Sequence, residues 1–186
     1  MERFLEYFVP EKYALNIGVD KFNKKLGGTV TIFGEAKAET VKLHAVDLNV
    51  AQVFVNGEEV KFENKDNTLI LSGMKLGEVE ILISYDSLLN ENMEGAYLST
   101  YEYEDKTEAI VATQFESHYA RQAFPCIDEP GAKAVFELTL TVPEVDGEVV
   151  LSNMPVEKTK KYNKVPDGKH TVFYDEDGKK SAESYV

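Results

Sequence analysis

Strict two-residue alternation of apolar and polar side chains runs through most of this chain, and no long segment shows a helical period. That alternation is the strongest constraint on the fold, because a period of two places every second side chain on one face of a strand. Tyr13, Leu15, Ile17 and Val19 alternate with Ala14, Asn16 and Gly18, and the turn-forming stretch Lys24 to Gly28 leads into the β-branched run Thr29 to Phe33. Val41, Leu43 and Ala45 alternate again. Val53 and Val55 run into Asn56-Gly57, with Val60 and Phe62 beyond. Asn-Gly between two alternating segments predicts a hairpin, since both central residues of a type I′ turn need positive φ. Leu69 and Leu71 give a short strand, and Val79, Ile81, Ile83 and Tyr85 give a clean one. Further strands are expected over Ala96 to Tyr103, Ala109 to Glu116 and Phe136 to Val142, with shorter ones over Val149 to Leu151 and Thr171 to Tyr174. About ten strands with turns every 8–12 residues predict an all-β fold, a sandwich or a curved sheet.

Composition narrows the function. The 186 residues carry 20 Lys and Arg against 33 Asp and Glu, a formal net charge of −13, which argues against a nucleic-acid partner needing a basic face. Hydrophobic residues make up 43% of the chain, enough for a core, so one domain is expected. No run approaches the ~18 apolar residues of a membrane span. Residues 1–10 intersperse Glu2, Arg3 and Glu6 among the apolar ones, unlike a signal peptide, and Cys126 is the single cysteine. The expected location is the cytoplasm, with no membrane partner. Asp86 to Glu108 is acidic and Lys158 to Lys180 rich in lysine, and both read as solvated loops and strand edges.

Familiar catalytic signatures are missing. His44, His118 and His170 are far apart, there is no H-E-x-x-H, no paired cysteines, no G-x-S-x-G and no phosphate-binding glycine loop, so no metal site is expected from this chain. Asp175-Glu176-Asp177-Gly178 lacks the ligand spacing of a calcium loop and reads as a turn. Cys126, between Pro125 and Ile127, reads as a small buried hydrophobe rather than a nucleophile paired with His118.

Residues 113–136 differ in texture, packing an amide, carboxylates, an imidazole and a guanidinium between two strand-like runs. Such density is costly to bury unless the groups face a cleft or one another. On a strand, Gln114 and Glu116 would share one face with Phe115 on the other. An amide beside a carboxylate suits a cationic ligand. An ion pair between Glu116 and Arg121, pinning the turn that follows, explains the same residues without a ligand.

Thr113-Gln-Phe-Glu116, Ala120-Arg-Gln-Ala-Phe-Pro-Cys-Ile-Asp-Glu-Pro130 and Lys133-Ala-Val-Phe136 together resemble the aminopeptidase N family, zinc metallopeptidases of the gluzincin type. Leu151-Ser-Asn-Met-Pro155, Tyr13-Ala-Leu-Asn-Ile17 and Gly28-Thr-Val-Thr-Ile-Phe-Gly34 extend the similarity over nearly the whole chain, closest to bacterial cytosolic members. The resemblance implies that residues 1–186 form the family's N-terminal domain, a curved, saddle-like and mostly antiparallel β-domain, truncated near its end. Around Gly178 to Ser184 the chain departs from the family's Met-Ser-Ser/Thr-Tyr pattern. The family's Gly-x-Met-x-Asn strand and H-E-x-x-H helix do not occur in residues 1–186, so the catalytic zinc domain is expected to be absent and this chain alone inactive. In a full-length hydrolase, zinc and a glutamate base from that missing domain would activate water.

The resemblance also assigns roles. Glu116 matches the glutamate that binds the substrate's free α-ammonium, and Gln114 the glutamine beside it; Arg121 and Asp128 match residues read as scaffold. The implied partners are peptides with a free N-terminus and the missing catalytic domain. The competing reading is a stand-alone, non-catalytic β-sandwich module that grips peptides or a protein by an exposed edge.

Overall fold

The computed structural model describes residues 2–160 in full and the backbone of 170–174 and 180–185. In chain order the strands are β1 (Phe8–Asp20), β2 (Lys25–Ala36), β3 (Thr40–His44), β4 (Asn49–Val55), β5 (Glu58–Glu59), β6 (Phe62–Lys65) and β7 (Thr68–Ser72). There follow β8 (Gly77–Leu88), β9 (Gly95–Tyr103), β10 (Lys106–Gln114), β11 (Val135–Thr141), β12 (His170–Tyr174) and β13 (Lys180–Tyr185). The helical elements among the described residues are two 3₁₀ turns, Phe4–Glu6 and Ala120–Gln122. The chain is all-β, as its alternation predicts.

Six strands form the main sheet in the order β11-β1-β2-β8-β4-β5, and a second sheet has the order β3-β7-β6. Two hairpins, β9-β10 and β12-β13, complete the fold. Pairing is antiparallel except between β1 and β11, which run parallel with Tyr13 opposite Phe136. Those two rings stack, with centroids 4.9 Å apart and planes 4° from parallel. The core draws on both sheets: Ile32, Val53, Ile81 and Ile83 from the main sheet and Val41, Leu43, Leu69 and Leu71 from the smaller one are fully buried in one cluster.

Local chemistry explains the turns. Asn56 and Gly57 have φ of 51° and 83°, the left-handed pair that a two-residue hairpin demands. The Asn56 side-chain oxygen also accepts the Glu80 N–H at 2.9 Å, tying the turn to β8. Asp66-Asn67 and Glu104-Asp105 make two further turns with positive φ at both residues, without any glycine. Strand β1 begins earlier than its alternation suggests, because a bulge between Pro10 and Lys12 shifts the inward positions from Phe8 and Pro10 to Tyr13, Leu15 and Ile17.

Three expectations need correction. Strand β10 ends at Gln114, so Phe115 and Glu116 lie beyond it. Its ladder stops where Gly95, the partner of Gln114, leaves the strand at φ 65° and offers residue 116 nothing to pair with. Residues 149–151 form no strand, and their side chains are exposed. The alternating face of β11 is present, yet Phe136 and Leu138 remain 53% and 44% exposed. The turn expected at 175–178 and most of the lysine-rich stretch lie outside the described residues.

Gly28 on β2 leaves the least room for a side chain among the main-sheet glycines, since a Cβ there would lie 2.0 Å from the Asn16 carbonyl oxygen. Gly28→Ala must therefore push β1 from β2 and is expected to destabilise the chain by about 3 kcal/mol or more. Gly57→Ala, with nothing within 4 Å, is left only the left-handed backbone cost of about 1–2 kcal/mol. Urea unfolding of both variants checks the order; equal losses would contradict the close-approach argument.

Candidate functional site

The segment from Phe115 to Ala134 has no strand of its own, and its side chains show how it is held. Phe115 stays 36% exposed while its ring meets Phe124 edge to face, at 5.8 Å and 82°. Phe124 in turn lies edge-on to Tyr13 and Phe136. Gln114 and Glu116 on either side of Phe115 are exposed as well. The Glu116–Ser117 peptide is cis, and the Tyr119 N–H closes a turn onto the Phe115 carbonyl at 2.9 Å. Gln114 reaches over this turn, its Nε2 donating to the Glu116 main-chain oxygen at 3.2 Å. The structure thus brings Gln114 and Glu116 together through a side chain-to-backbone bond at the end of a hairpin rather than through a shared strand face.

Arg121 settles the competing ion-pair expectation. Its Nε donates to Asp128 Oδ2 at 2.8 Å and its Nη2 to the Asp128 main-chain oxygen at 2.8 Å, so its fork is spent on Asp128. Among the described residues no ion pair reaches the Glu116 carboxylate. Arg121 and Asp128 behave as the scaffold that the sequence suggests.

The same segment is stitched to the core by His44 and Cys126, whose main chains exchange hydrogen bonds of 2.8 and 3.1 Å. The Val46 N–H donates to the Arg121 carbonyl, and the Ile127 N–H to the Tyr13 hydroxyl oxygen at 3.1 Å. His44 Nδ1 accepts the Asp128 N–H at 3.1 Å, and its ring stacks on Phe4 at 4.3 Å. Glu129 Oε1 receives the Phe4 N–H at 2.6 Å, closing a loop of contacts back to the N-terminal turn. Burial and then the Arg121 charge push the His44 imidazole below its ordinary range, opposed by the Asp128 and Glu129 carboxylates. Burial, with the Asp128 carboxylate, pushes the Cys126 thiol well up, which disfavours a thiolate. Cys126 is therefore a packed core group. Sequence reasoning gave neither His44 nor Glu129 this role: His44 sits far in sequence from the 113–136 segment, and Glu129, inside it, carries no sign of its bond to Phe4.

No group of three or more His, Cys, Asp or Glu side chains able to hold a metal occurs among the described residues. The two histidines there do not fit a zinc centre: His44 is engaged as above, and His118 Nδ1 lies 2.6 Å from Ser117 Oγ. No helix of the described residues is long and apolar enough to cross a membrane.

The geometry leaves a carboxylate and an amide exposed at the end of the β9-β10 hairpin of an all-β domain, and comparison with known proteins names the family of that domain. The chain matches the Peptidase M1 N-terminal domain over residues 9–185 and belongs to that family. It is 40% identical over 157 residues to aminopeptidase N of Lactococcus lactis subsp. lactis (strain IL1403), covering 83% of this chain and 19% of that protein. To aminopeptidase N of Lactobacillus helveticus it is 43% identical over 157 residues, again covering 83% and 19%. Aminopeptidase M1 of Arabidopsis thaliana is 34% identical over 177 residues, covering 85% and 20%. The chain thus spans about a fifth of the length of these relatives. The structure of yeast LTA4 hydrolase in complex with bestatin shares the fold, with a TM-score of 0.62 and 20% identity over 74% of this chain and 23% of that one.

Two outcomes follow from these environments. The native chain should leave Cys126 unlabelled by a thiol-specific reagent over the time in which urea-unfolded chain reacts fully; fast labelling of folded protein would contradict its packed role. Because His44 is held below its unfolded value near 6.5, unfolding takes up a proton there as pH falls. Its contribution is fully present above about pH 6.5 and shrinks below it. Urea midpoints measured from pH 8 to 5 should therefore fall less steeply for His44→Gln than for the parent.

Proposed function

We propose that residues 1–186 are the N-terminal β-domain of an aminopeptidase, and that it anchors the free α-amine of the peptide whose first residue is removed. The observation that carries this reading is the commitment of Arg121 to Asp128, which leaves the Glu116 carboxylate exposed and unpaired beside Gln114. An α-ammonium offers three donors and is largely charged at neutral pH. Glu116 supplies the opposite charge, and the Gln114 side-chain oxygen is a second acceptor, its Nε2 already turned to the Glu116 backbone. Holding the ammonium at a fixed point sets the distance to the first peptide bond, so the anchor selects peptide ends over chain interiors. The names of the relatives, aminopeptidase N and aminopeptidase M1, support the reaction class.

In this reading the hydrolytic centre, zinc included, belongs to a catalytic domain outside residues 1–186, and this chain alone does not turn over peptides. The partners are peptides with a free N-terminus and that catalytic domain. The proposed compartment is the cytoplasm.

The test uses an active polypeptide joining this chain to the part of the Lactococcus lactis relative that it does not span. Glu116→Gln keeps shape and removes charge. The expected loss is one charge-assisted hydrogen bond, about 1.5–3 kcal/mol, or roughly one to two decades in kcat/KM for free-amine substrates. N-acetylated substrates should be nearly indifferent, and Gln114→Ala should lose less. A drop in melting temperature with unchanged kinetics would show that Glu116 is structural.

A further inference from the structure

Glu116 stands in a turn that strand pairing does not hold, so something else must fix its carboxylate. The segment 114–122 is tied at three points to one short stretch across the hairpin, residues 90–95. Gln114 pairs with Gly95 at the last rung of the β9-β10 ladder. The Tyr119 hydroxyl bonds the Glu94 carboxylate, which holds the phenol above its ordinary range. The third tie is an amide pair: Asn90 Nδ2 donates to Gln122 Oε1 at 2.7 Å and to the Glu94 carbonyl at 2.8 Å.

The orientation of that pair follows from hydrogen-bond chemistry. The Glu94 carbonyl only accepts, so Asn90 must turn its NH₂ toward it. The second hydrogen of that NH₂ then faces Gln122, which must answer with its oxygen. The Asn90 backbone is fixed as well, its N–H donating to Ala96 O at 2.9 Å and its carbonyl receiving Leu98 N–H at 2.8 Å. Gly95 makes room for the contact, since a Cβ there would lie 2.8 Å from the Gln122 Cβ. Both Asn90 and Gln122 are partly buried, which shields the bond from water.

We propose that Asn90 is a positioning residue for the amine anchor, acting through Gln122 to hold the turn that carries Glu116. The proposal rests on the reading of Glu116 given above. Asn90 touches no substrate; its amide latch restricts where the Glu116 carboxylate waits, so that the ammonium meets a placed partner rather than a wandering one.

The joined polypeptide described above provides the test, with an aminoacyl p-nitroanilide as substrate. Asn90→Ala and Gln122→Ala should each raise KM about tenfold, the scale of one lost hydrogen bond, with kcat within a factor of about two. The double variant should be no worse than either single one, because both remove the same latch. Multiplying losses would overturn the latch. Unchanged KM in both singles, while Glu116→Gln still weakens free-amine substrates, would overturn the role of Asn90 and leave the anchor standing. An unaltered amine preference in Glu116→Gln would remove the anchor and this proposal together. Should Asn90→Ala fail to fold, Asn90→Asp keeps the shape and sets an acceptor against the Glu94 carbonyl; it should raise KM comparably, and wild-type KM in that variant overturns the proposal.

Discussion

Two main-chain hydrogen bonds between His44 and Cys126 hold the chemistry of this domain in place. His44 closes β3, in the smaller sheet, whereas Cys126 lies in the irregular segment that follows β10 and bears Glu116. A segment of that length without its own ladder must borrow its backbone partners from elsewhere, because buried amides left unpaired are costly. Here it borrows from the end of β3, from Val46 and from the Tyr13 hydroxyl, and its buried Phe124 packs edge-on against Tyr13 of β1 and Phe136 of β11. The polar groups that remain outside are then placed by the core rather than by local preference.

The electrostatics follow from the same arrangement. Asp128 faces the Arg121 guanidinium and gives its N–H to His44, so one residue neutralises the nearest cation and fixes the tautomer of the nearest imidazole. A neutral His44 adds no charge to the region. The acidic side chain at the end of the hairpin is exposed, and among the described residues no ion pair reaches it.

Much of this was legible in the residues. The alternation of Val79, Ile81, Ile83 and Tyr85 became a central strand buried along that face, and Asn56-Gly57 became the turn it predicts. The turns at Asp66-Asn67 and Glu104-Asp105 were not legible, because acidic and amide side chains enter the left-handed region without the glycine that advertises it. The end of β10 was misjudged for a related reason. Alternation continues through Phe115 and Glu116, but a strand lasts only as long as its partner, and Gly95 turns away. The motif singled out Gln114 and Glu116 as candidates; it could not show the bond from Gln114 to the Glu116 backbone, or the amide pair between Asn90 and Gln122, since neither leaves a pattern in spacing.

The parallel pairing of β1 with β11 sets an order of events during synthesis. More than a hundred residues separate the end of β1 from the start of β11, and the four other strands of the main sheet all lie between them in sequence. At about 5–20 residues per second, one side of β1 stays open on the growing chain for roughly 5 to 20 seconds. Throughout that interval the aromatic ring of Tyr13 lacks the Phe136 face that will cover it. The N-terminal strand is thus made first and finished last, and the nascent chain carries an open template for chance strand pairing until β11 arrives.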